Sequence, residues 1–400
     1  MSNGSREAYI VAARRTPVGK APRGGLRRTR PDDLLAHTIR AVLADVPGVD
    51  PAAIDDVLVG CAMPEGEQGM NVARIGLLLA GLPESVPGVT VNRFCASGLQ
   101  TIAQAADRIR LGEADLMLAG GTESMSMIPF MGQRPAFNPA IFERDENLAI
   151  AYGMGITAER VAARWQVARE DQDAFALESH RRAIAAQDAG AFAAEIAPVD
   201  TVAREPDLEG GEVREITATV ERDEGPRRDT SVERLGGLRP VFAARGSVTA
   251  GNSSQTSDGA GMVLVASADA LKRYELEPLA RFCGYAVAGV APEVMGIGPV
   301  EAVPRVLKQT GVAQRDLDWI ELNEAFAAQS LAVIRELDLD PERVNPCGGA
   351  IALGHPLGAT GGIRAATIVH GLRRTSGRYG LVTMCVGTGM GAAGIFEAVG

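Results

Sequence analysis

One order of secondary-structure signals runs along this chain twice. In the first pass Ala8 to Ala13 predicts a strand, Pro31 to Ala44 an amphipathic helix, Ile54 to Cys61 a short buried strand, and Val89 to Phe94 a strand rich in β-branched residues. A helix to about Leu111 follows at once, with Leu99, Ile102, Ala103, Ala106 and Ile109 on one apolar face. Ala114 to Ala119 then reads as a buried strand that closes the unit before Gly120-Gly121. In the second pass Leu279 to Tyr285 parallels the opening strand and Leu317 to Leu322 parallels the strand at Ile54. Val344-Asn-Pro-Cys leads through a glycine-rich turn to a helix over Ala359 to Arg373, and Tyr379 to Met384 parallels Ala114 to Ala119. Strands alternating with helices imply a parallel sheet. Two such halves each set a turn at the carboxyl end of a strand, where ligands bind.

Between the passes the pattern changes. From Glu123 to Arg245 the chain has a Met-rich irregular stretch and two helical segments, around Ala158 to Ala163 and Gln172 to Asp188. From Thr201 to Gly237 charges and glycines outnumber apolar residues, which predicts a solvated insertion rather than a sheet core. At 400 residues the chain exceeds a single core of roughly 100 to 200 residues. The divisions are an N-terminal half over 1–122, a loop domain over 123–248 and a C-terminal half over 249–400, with 249–275 also readable as the end of the first half.

Composition narrows the function classes. A net charge of −10 disfavours nucleic acid and anionic membrane as partners, because phosphate contacts need clustered Lys and Arg. No apolar run approaches the ~18 to 20 residues of a membrane span, and Met1 to Thr16 carries no signal-peptide core, so a cytoplasmic location is expected. Five cysteines without a CxxC pair argue for reduced thiols, and His37, His180, His355 and His370 stand at no zinc-finger spacing, so no metal is expected.

Among the thiols Cys95 stands out. It falls at a strand-to-helix turn, where unpaired N–H groups and the helix dipole favour a thiolate. A second constellation, Asn345-Pro-Cys-Gly-Gly-Ala-Ile-Ala-Leu-Gly-His-Pro-Leu-Gly, stiffens a turn around His355 and leaves the imidazole open to whatever enters, as a base for a nearby thiol. His370, on the following helix, reads as structural. Cys385-Val-Gly-Thr-Gly-Met-Gly again places a thiol at a turn, with glycines that free backbone N–H groups for an oxyanion. Gly389 to Gly394 formally satisfies GxGxxG but is followed by too little chain for a dinucleotide fold. Asn323 either caps a helix or holds a water.

The stretches around Cys95, Asn323-Glu-Ala-Phe, Gly354-His-Pro-Leu-Gly and Cys385-Val-Gly-Thr-Gly together resemble the thiolase family. Arg15-Thr-Pro, Gly121-Thr-Glu-Ser-Met-Ser, Met154-Gly-Ile-Thr-Ala-Glu, Leu238-Arg-Pro and Thr249-Ala-Gly-Asn-Ser-Ser carry the resemblance over nearly the whole chain, in the family's order. It implies a thiolase fold: two similar α/β halves in a five-layered α/β/α/β/α core, an inserted loop domain that binds coenzyme A, and a homodimer or homotetramer. It further implies that Cys95 holds the acyl group, that His355 activates Cys95, and that Cys385 exchanges a proton with the α-carbon of the other substrate. One oxyanion site would use the N–H groups of Cys95 and Gly387, the other the His355 ring and a water on Asn323. Ser254 would meet the pantetheine, Arg227 (or its neighbour Arg228) the nucleotide end, and Met154 the acyl pocket. Acyl-CoA and CoA are then substrates and products, with no separate cofactor.

One departure bears on substrate. Short-chain biosynthetic thiolases carry a His directly before the Met-Gly that matches Met154-Gly155, and here that residue is Gly153, which favours a degradative enzyme with a broader pocket. A ketoacyl synthase would have His or Asn where Cys385 stands, and a silent lipid-binding relative would tolerate loss of Cys95, His355 or Cys385.

Overall fold

The computed structural model describes residues 6–206 and 210–399. Residues 1–5, at the start of the first half, and 207–209, in the insertion, lie outside the described residues. The strands are β1 Ala8–Arg15, β2 Gly19–Lys20, β3 Asp56–Gly60, β4 Gly88–Val91, β5 Leu116–Ser124, β6 Val199–Pro206, β7 Val213–Val220, β8 Ser257–Ser267, β9 Ala280–Gly289, β10 Leu317–Leu322, β11 Tyr379–Val386 and β12 Met390–Ala398.

Ten of them form one sheet, in the order β10-β11-β12-β9-β1-β8-β5-β3-β4 with β2 on β8. The repeat is visible in this order. Outward from the centre, β1-β8-β5-β3-β4 is matched by β9-β12-β11-β10, and beyond β10 the isolated parallel bridge Ile320 to Val344 stands where β4 stands in the first half. Within the sheet the two halves are paired, among the described residues, at Tyr9 with Arg281 and Ile10 with Ala280.

The sheet is mixed, not parallel as the alternation of elements implies. Among the described strand pairs only β3/β4, β3/β5 and β10/β11 run parallel. The reason is one strand per half that the sequence reading does not assign, β8 and β12, each antiparallel to both neighbours. β8 is buried at every position and β12 at most, so neither shows polar alternation, and both are rich in Gly and Ala, which weakens the strand signal.

The Ser97–Leu111 and Thr360–Thr375 helices lie between the two halves of the sheet and build the main core, with Leu99, Ile102, Ile368, Val369, Phe282 and Phe396 fully buried. The Pro31–Ala44 and Val72–Leu79 helices cover the outer face of the first half, and Gly298–Thr310 with Ala327–Glu336 covers that of the second. Five layers result.

The two central helices touch backbone to backbone. A Cβ on Gly361 would lie 2.0 Å from the Leu99 nitrogen, and one on Gly98 would lie 2.8 Å from the Gly362 nitrogen. Only glycine permits that approach.

β5 runs through Glu123 to Ser124, just past the division read after residue 122. Between β5 and β8 the insertion carries the Met154–Arg164 and Arg169–Asp188 helices and its own two-stranded ribbon, β6 with β7. The ribbon is exposed along nearly all of β7, in keeping with the charge of that stretch, though the sequence reading gave it no strands. It is anchored beneath by Arg15, which is 1% exposed and bonds Glu195 at 2.6 Å and Asp223 at 2.7 Å.

Gly361→Ala should destabilise the fold by roughly 1–3 kcal/mol, read from the urea midpoint. Gly236→Ala, where a Cβ meets nothing, serves as the control and should stay within about 0.5 kcal/mol. Equal midpoints for the two variants would remove the backbone contact as a determinant of the fold.

Candidate active site

Cys95 sits in a single 3-10 turn, Phe94–Ala96, which runs directly into the Ser97–Leu111 helix. The strand before it ends at Val91, three residues earlier than the sequence implies, because Phe94 turns into the left-handed region at φ 44°. That is an unfavourable conformation for an aromatic residue, so neighbours must hold it. They do so through polar contacts: Asn92 Oδ1 accepts from Phe94 N at 2.8 Å, and Ser97 Oγ accepts from Arg93 N and donates to Phe94 O.

Cys385 and Gly387 arrive from the other half. Cys385 is the next-to-last residue of β11 and fully buried. Gly387 opens the turn to β12, in which Thr388 and Gly389 both have positive φ, at 65° and 91°. A Cβ on Gly387 would lie 3.7 Å from both Met154 Sδ and Phe94 Cδ2, so Met154 and the Cys95 turn flank this hairpin. Met154 also packs with Ala158, Met295, Phe326 and Cys385 in one apolar cluster.

His355 completes the group. It lies on the turn before the Thr360–Thr375 helix and is 5% exposed, so it is enclosed rather than open as its glycine-rich setting suggests. Its ring is held at both nitrogens: Asn323 Nδ2 stands 3.3 Å from Nε2, and Thr360 Oγ1 2.7 Å from Nδ1. The Asn amide nitrogen can only donate, so Nε2 accepts and the ring proton sits on Nδ1, donating to Thr360. Asn323 is not a helix cap, since the helix that follows begins at Ala327 with Phe326 before it. The Asn323 side chain is buried, and its Oδ1 has no hydrogen-bond partner. A buried amide oxygen in that state is a seat for a water.

Two buried carboxylates, which the sequence reading missed, tie these loops down. Glu123 accepts from Ala62 N at 2.7 Å, Met63 N at 3.2 Å and Gly358 N at 2.9 Å, and Gln68 also donates to it. It therefore fixes the turn behind His355 to the first half. Glu324 accepts from Ser179 Oγ at 2.6 Å, Asn345 Nδ2 at 2.8 Å and Ile351 N at 3.2 Å, binding the insertion to the glycine-rich loop. Both lie inside stretches already noted as motifs, but only partners distant in sequence reveal what they hold.

The remaining candidates lie further out. Ser254 is half-buried, and its N–H donates to Ala325 O at 2.9 Å, which sets it beside the Asn323 loop. Arg227 is exposed, its N–H donates to His180 Nδ1 at 3.1 Å, and its guanidinium forms no ion pair among the described residues. Arg228 is engaged by Asp188, which leaves Arg227 the freer of the two. Lys20 is close enough to Arg227 and Arg23 for their charges to lower its pKa, after burial has done so. His370 donates from Nε2 to Ala13 O at 2.9 Å, a structural contact.

The electrostatics favour neutral groups. The surrounding protein pushes the Cys95 thiol up to about 12, against the pull of the N–H groups of Gly387 and of Cys95 itself. Burial raises the Cys385 thiol as well, and a charge on Cys95 would raise it again, so the two thiols are near enough for the charge of one to act on the other. Burial, with Arg364 second, lowers His355 to about 3. The arrangement can thus pass a proton from a thiol to a neutral imidazole and receive an oxyanion on two backbone N–H groups. Among the described residues no group of His, Cys, Asp and Glu could hold a metal ion, and no helix is long and apolar enough to cross a membrane.

Comparison with known proteins agrees along the whole chain. Residues 8–269 match the family model of the thiolase N-terminal domain, and 276–398 that of the thiolase C-terminal domain. The chain is 50% identical over 392 residues to a 3-ketoacyl-CoA thiolase of Bacillus subtilis, covering 98% of this chain and 99% of that one. It is 48% identical over 413 residues to a beta-ketoadipyl-CoA thiolase of Pseudomonas aeruginosa, covering 99% and 100%. The crystal structure of human mitochondrial 3-ketoacyl-CoA thiolase superposes with a TM-score of 0.87 at 40% identity, covering 98% of this chain and 99% of that one.

With Cys95 protonated far above neutrality, its alkylation by iodoacetamide in the substrate-free protein should rise about tenfold per pH unit from pH 6 to 9. Mass analysis of the Cys95 peptide reads this directly. A rate already level near pH 7 would instead mean a standing thiolate–imidazolium pair.

Proposed function

The chain belongs to the thiolase family and is an acyl-CoA C-acyltransferase, and on that footing we propose that it works degradatively, cleaving 3-ketoacyl-CoA with coenzyme A. Cys95 passes its proton to Nε2 of His355 and attacks the 3-keto carbonyl. The new C–S bond forms, the bond from that carbon to the α-carbon breaks, and the electron pair left on the α-carbon takes a proton from Cys385. Acetyl-CoA departs. The thiol of CoA then returns a proton to Cys385 and attacks the acyl-Cys95 thioester, and Cys95 leaves as thiolate to recover its proton from His355.

Each oxyanion has a seat. The acyl oxygen lies on the N–H groups of Cys95 and Gly387, and the enolate oxygen on protonated Nε2 and a water held by Asn323. The observation that carries this reading is that turns from the two halves meet: Gly387, two residues past Cys385, packs against Phe94 beside Cys95. Because neither thiol is ionised in the empty site, one can act as nucleophile and the other as acid without sharing a charge.

Ser254 meets the pantetheine, and Arg227, with Lys20 and Arg23 near it, meets the phosphates. Met154 lines the acyl pocket. Ahead of it, a Cβ on Gly153 would meet nothing within 4 Å, which favours room for acyl chains longer than that of acetoacetyl-CoA. The beta-ketoadipyl-CoA thiolase among its relatives makes 3-oxoadipyl-CoA a substrate to try beside linear chains. Five free thiols suit a reducing compartment such as the cytosol. Exposed apolar side chains such as Phe137 and Phe142 suit a homodimer or homotetramer.

Cys95→Ala should abolish thiolysis and the covalent acyl adduct seen by intact mass after quenching, and an adduct that persists sinks the assignment. Cys385→Ala should still be acylated by an acyl-CoA yet fail to make or break the carbon–carbon bond. Gly153→His should shift kcat/KM toward acetoacetyl-CoA by about tenfold relative to longer 3-ketoacyl-CoA substrates. An unchanged ratio would show that Gly153 does not set chain length.

A further inference from the structure

The helix that begins at Thr360 is buried from Thr360 to Val369 in the middle layer, yet it carries a polar stripe. Thr360, Arg364 and Thr367 stand at i, i+4 and i+7, on one face. Each has a defined partner. Thr360 holds His355 Nδ1, Arg364 bonds Glu321 Oε2 at 3.4 Å, and Thr367 donates to Glu195 at 3.0 Å.

The strand opposite is built the same way. Trp319, Glu321 and Asn323 alternate along β10 and just past it, so they project to one side of the sheet. Trp319 Nε1 donates to Glu321 Oε1 at 2.7 Å, and Asn323 reaches His355 Nε2. Asn323 N still donates to Thr383 O, so the ladder continues to that residue.

The two rows face one another, and the pairing is stepwise. The residues that grip the imidazole, Thr360 and Asn323, lie one turn before Arg364 on the helix and two residues after Glu321 on the strand. Arg364 and Glu321 bond each other with 3% and 1% of their side chains exposed. A buried ion pair is a poor source of net stability, since desolvation offsets most of its Coulomb gain, and an apolar pair of the same volume often serves the fold as well. Beyond the charge by which Arg364 helps to lower the His355 pKa, its value here is therefore geometric.

We propose that the Arg364–Glu321 pair is the positioning element of the catalytic imidazole: it fixes the register of the helix on the strand, so that Thr360 and Asn323 hold both nitrogens of His355 at once. Neither residue of the pair touches substrate. The inference rests on His355 being the base for Cys95.

The test removes both charges together, so that no buried charge is left unpaired. In the Glu321→Leu/Arg364→Met double variant the urea midpoint and the affinity for an acyl-CoA should stay close to those of the parent, within about twofold in Kd. The rate of acylation of Cys95, followed by quenched mass analysis with acetyl-CoA, should fall about 10- to 100-fold, as displacement of a reacting group by about 1 Å does. Adding Thr360→Val to that background should cost less than about twofold more, because both act through one ring. Parent-like acylation in the double variant would overturn the proposal, and so would a loss of affinity equal to the loss of rate. If the double variant does not fold, Arg364→Lys keeps charge and bulk but loses the planar fork: slow acylation with unchanged affinity then supports the proposal, and unchanged acylation overturns it. His355→Ala is run alongside. Should it acylate normally, the role given to His355 fails, and that outcome is distinct from failure of the pair.

Discussion

The structure depends on two helices meeting with no side chains between them. Gly98 on the helix that follows Cys95 and Gly361 and Gly362 on the helix that follows His355 let the two backbones touch. Each helix belongs to a different half, and each is led by a turn carrying one reactive group. The turns that carry the reactive groups are thus led into helices that cannot come closer than two peptide chains allow, and the close packing around them resists their separation.

Two buried polar residues near that contact are opposite cases. Glu123 is so well supplied with donors that it works as a fastener for the turn behind His355, despite the burial that raises its pKa. Asn323 is the opposite case, a buried amide with its oxygen unclaimed. In a protein interior nearly every polar atom is satisfied, so an oxygen left free beside an imidazole marks a place that substrate or water completes.

Much of this was legible in the sequence, and the rest was hidden for identifiable reasons. The twofold order of elements was readable because one-face burial writes a period into helices such as Ser97–Leu111. β8 and β12 escaped because they are buried on both faces and so show no polar alternation, and their antiparallel insertion is what makes the sheet mixed. Cys95, His355 and Cys385 declared themselves by turn chemistry and glycine spacing. Glu123, Glu321, Thr360 and Arg364 did not, since their meaning lies in partners up to 235 residues away and nothing local distinguishes them from ordinary polar residues. The location of Asn323 was seen but its state was not, because an absent partner leaves no trace in a sequence.

The glycine seam has a consequence for how such a protein can change. Where two surfaces meet through side chains, an enlargement on one can be answered by a reduction on the other, and the pair can wander together through sequence space. At Gly98, Gly361 and Gly362 there is nothing left to shorten. Substitution in one half finds no compensating substitution in the other, so these positions are pinned by geometry alone.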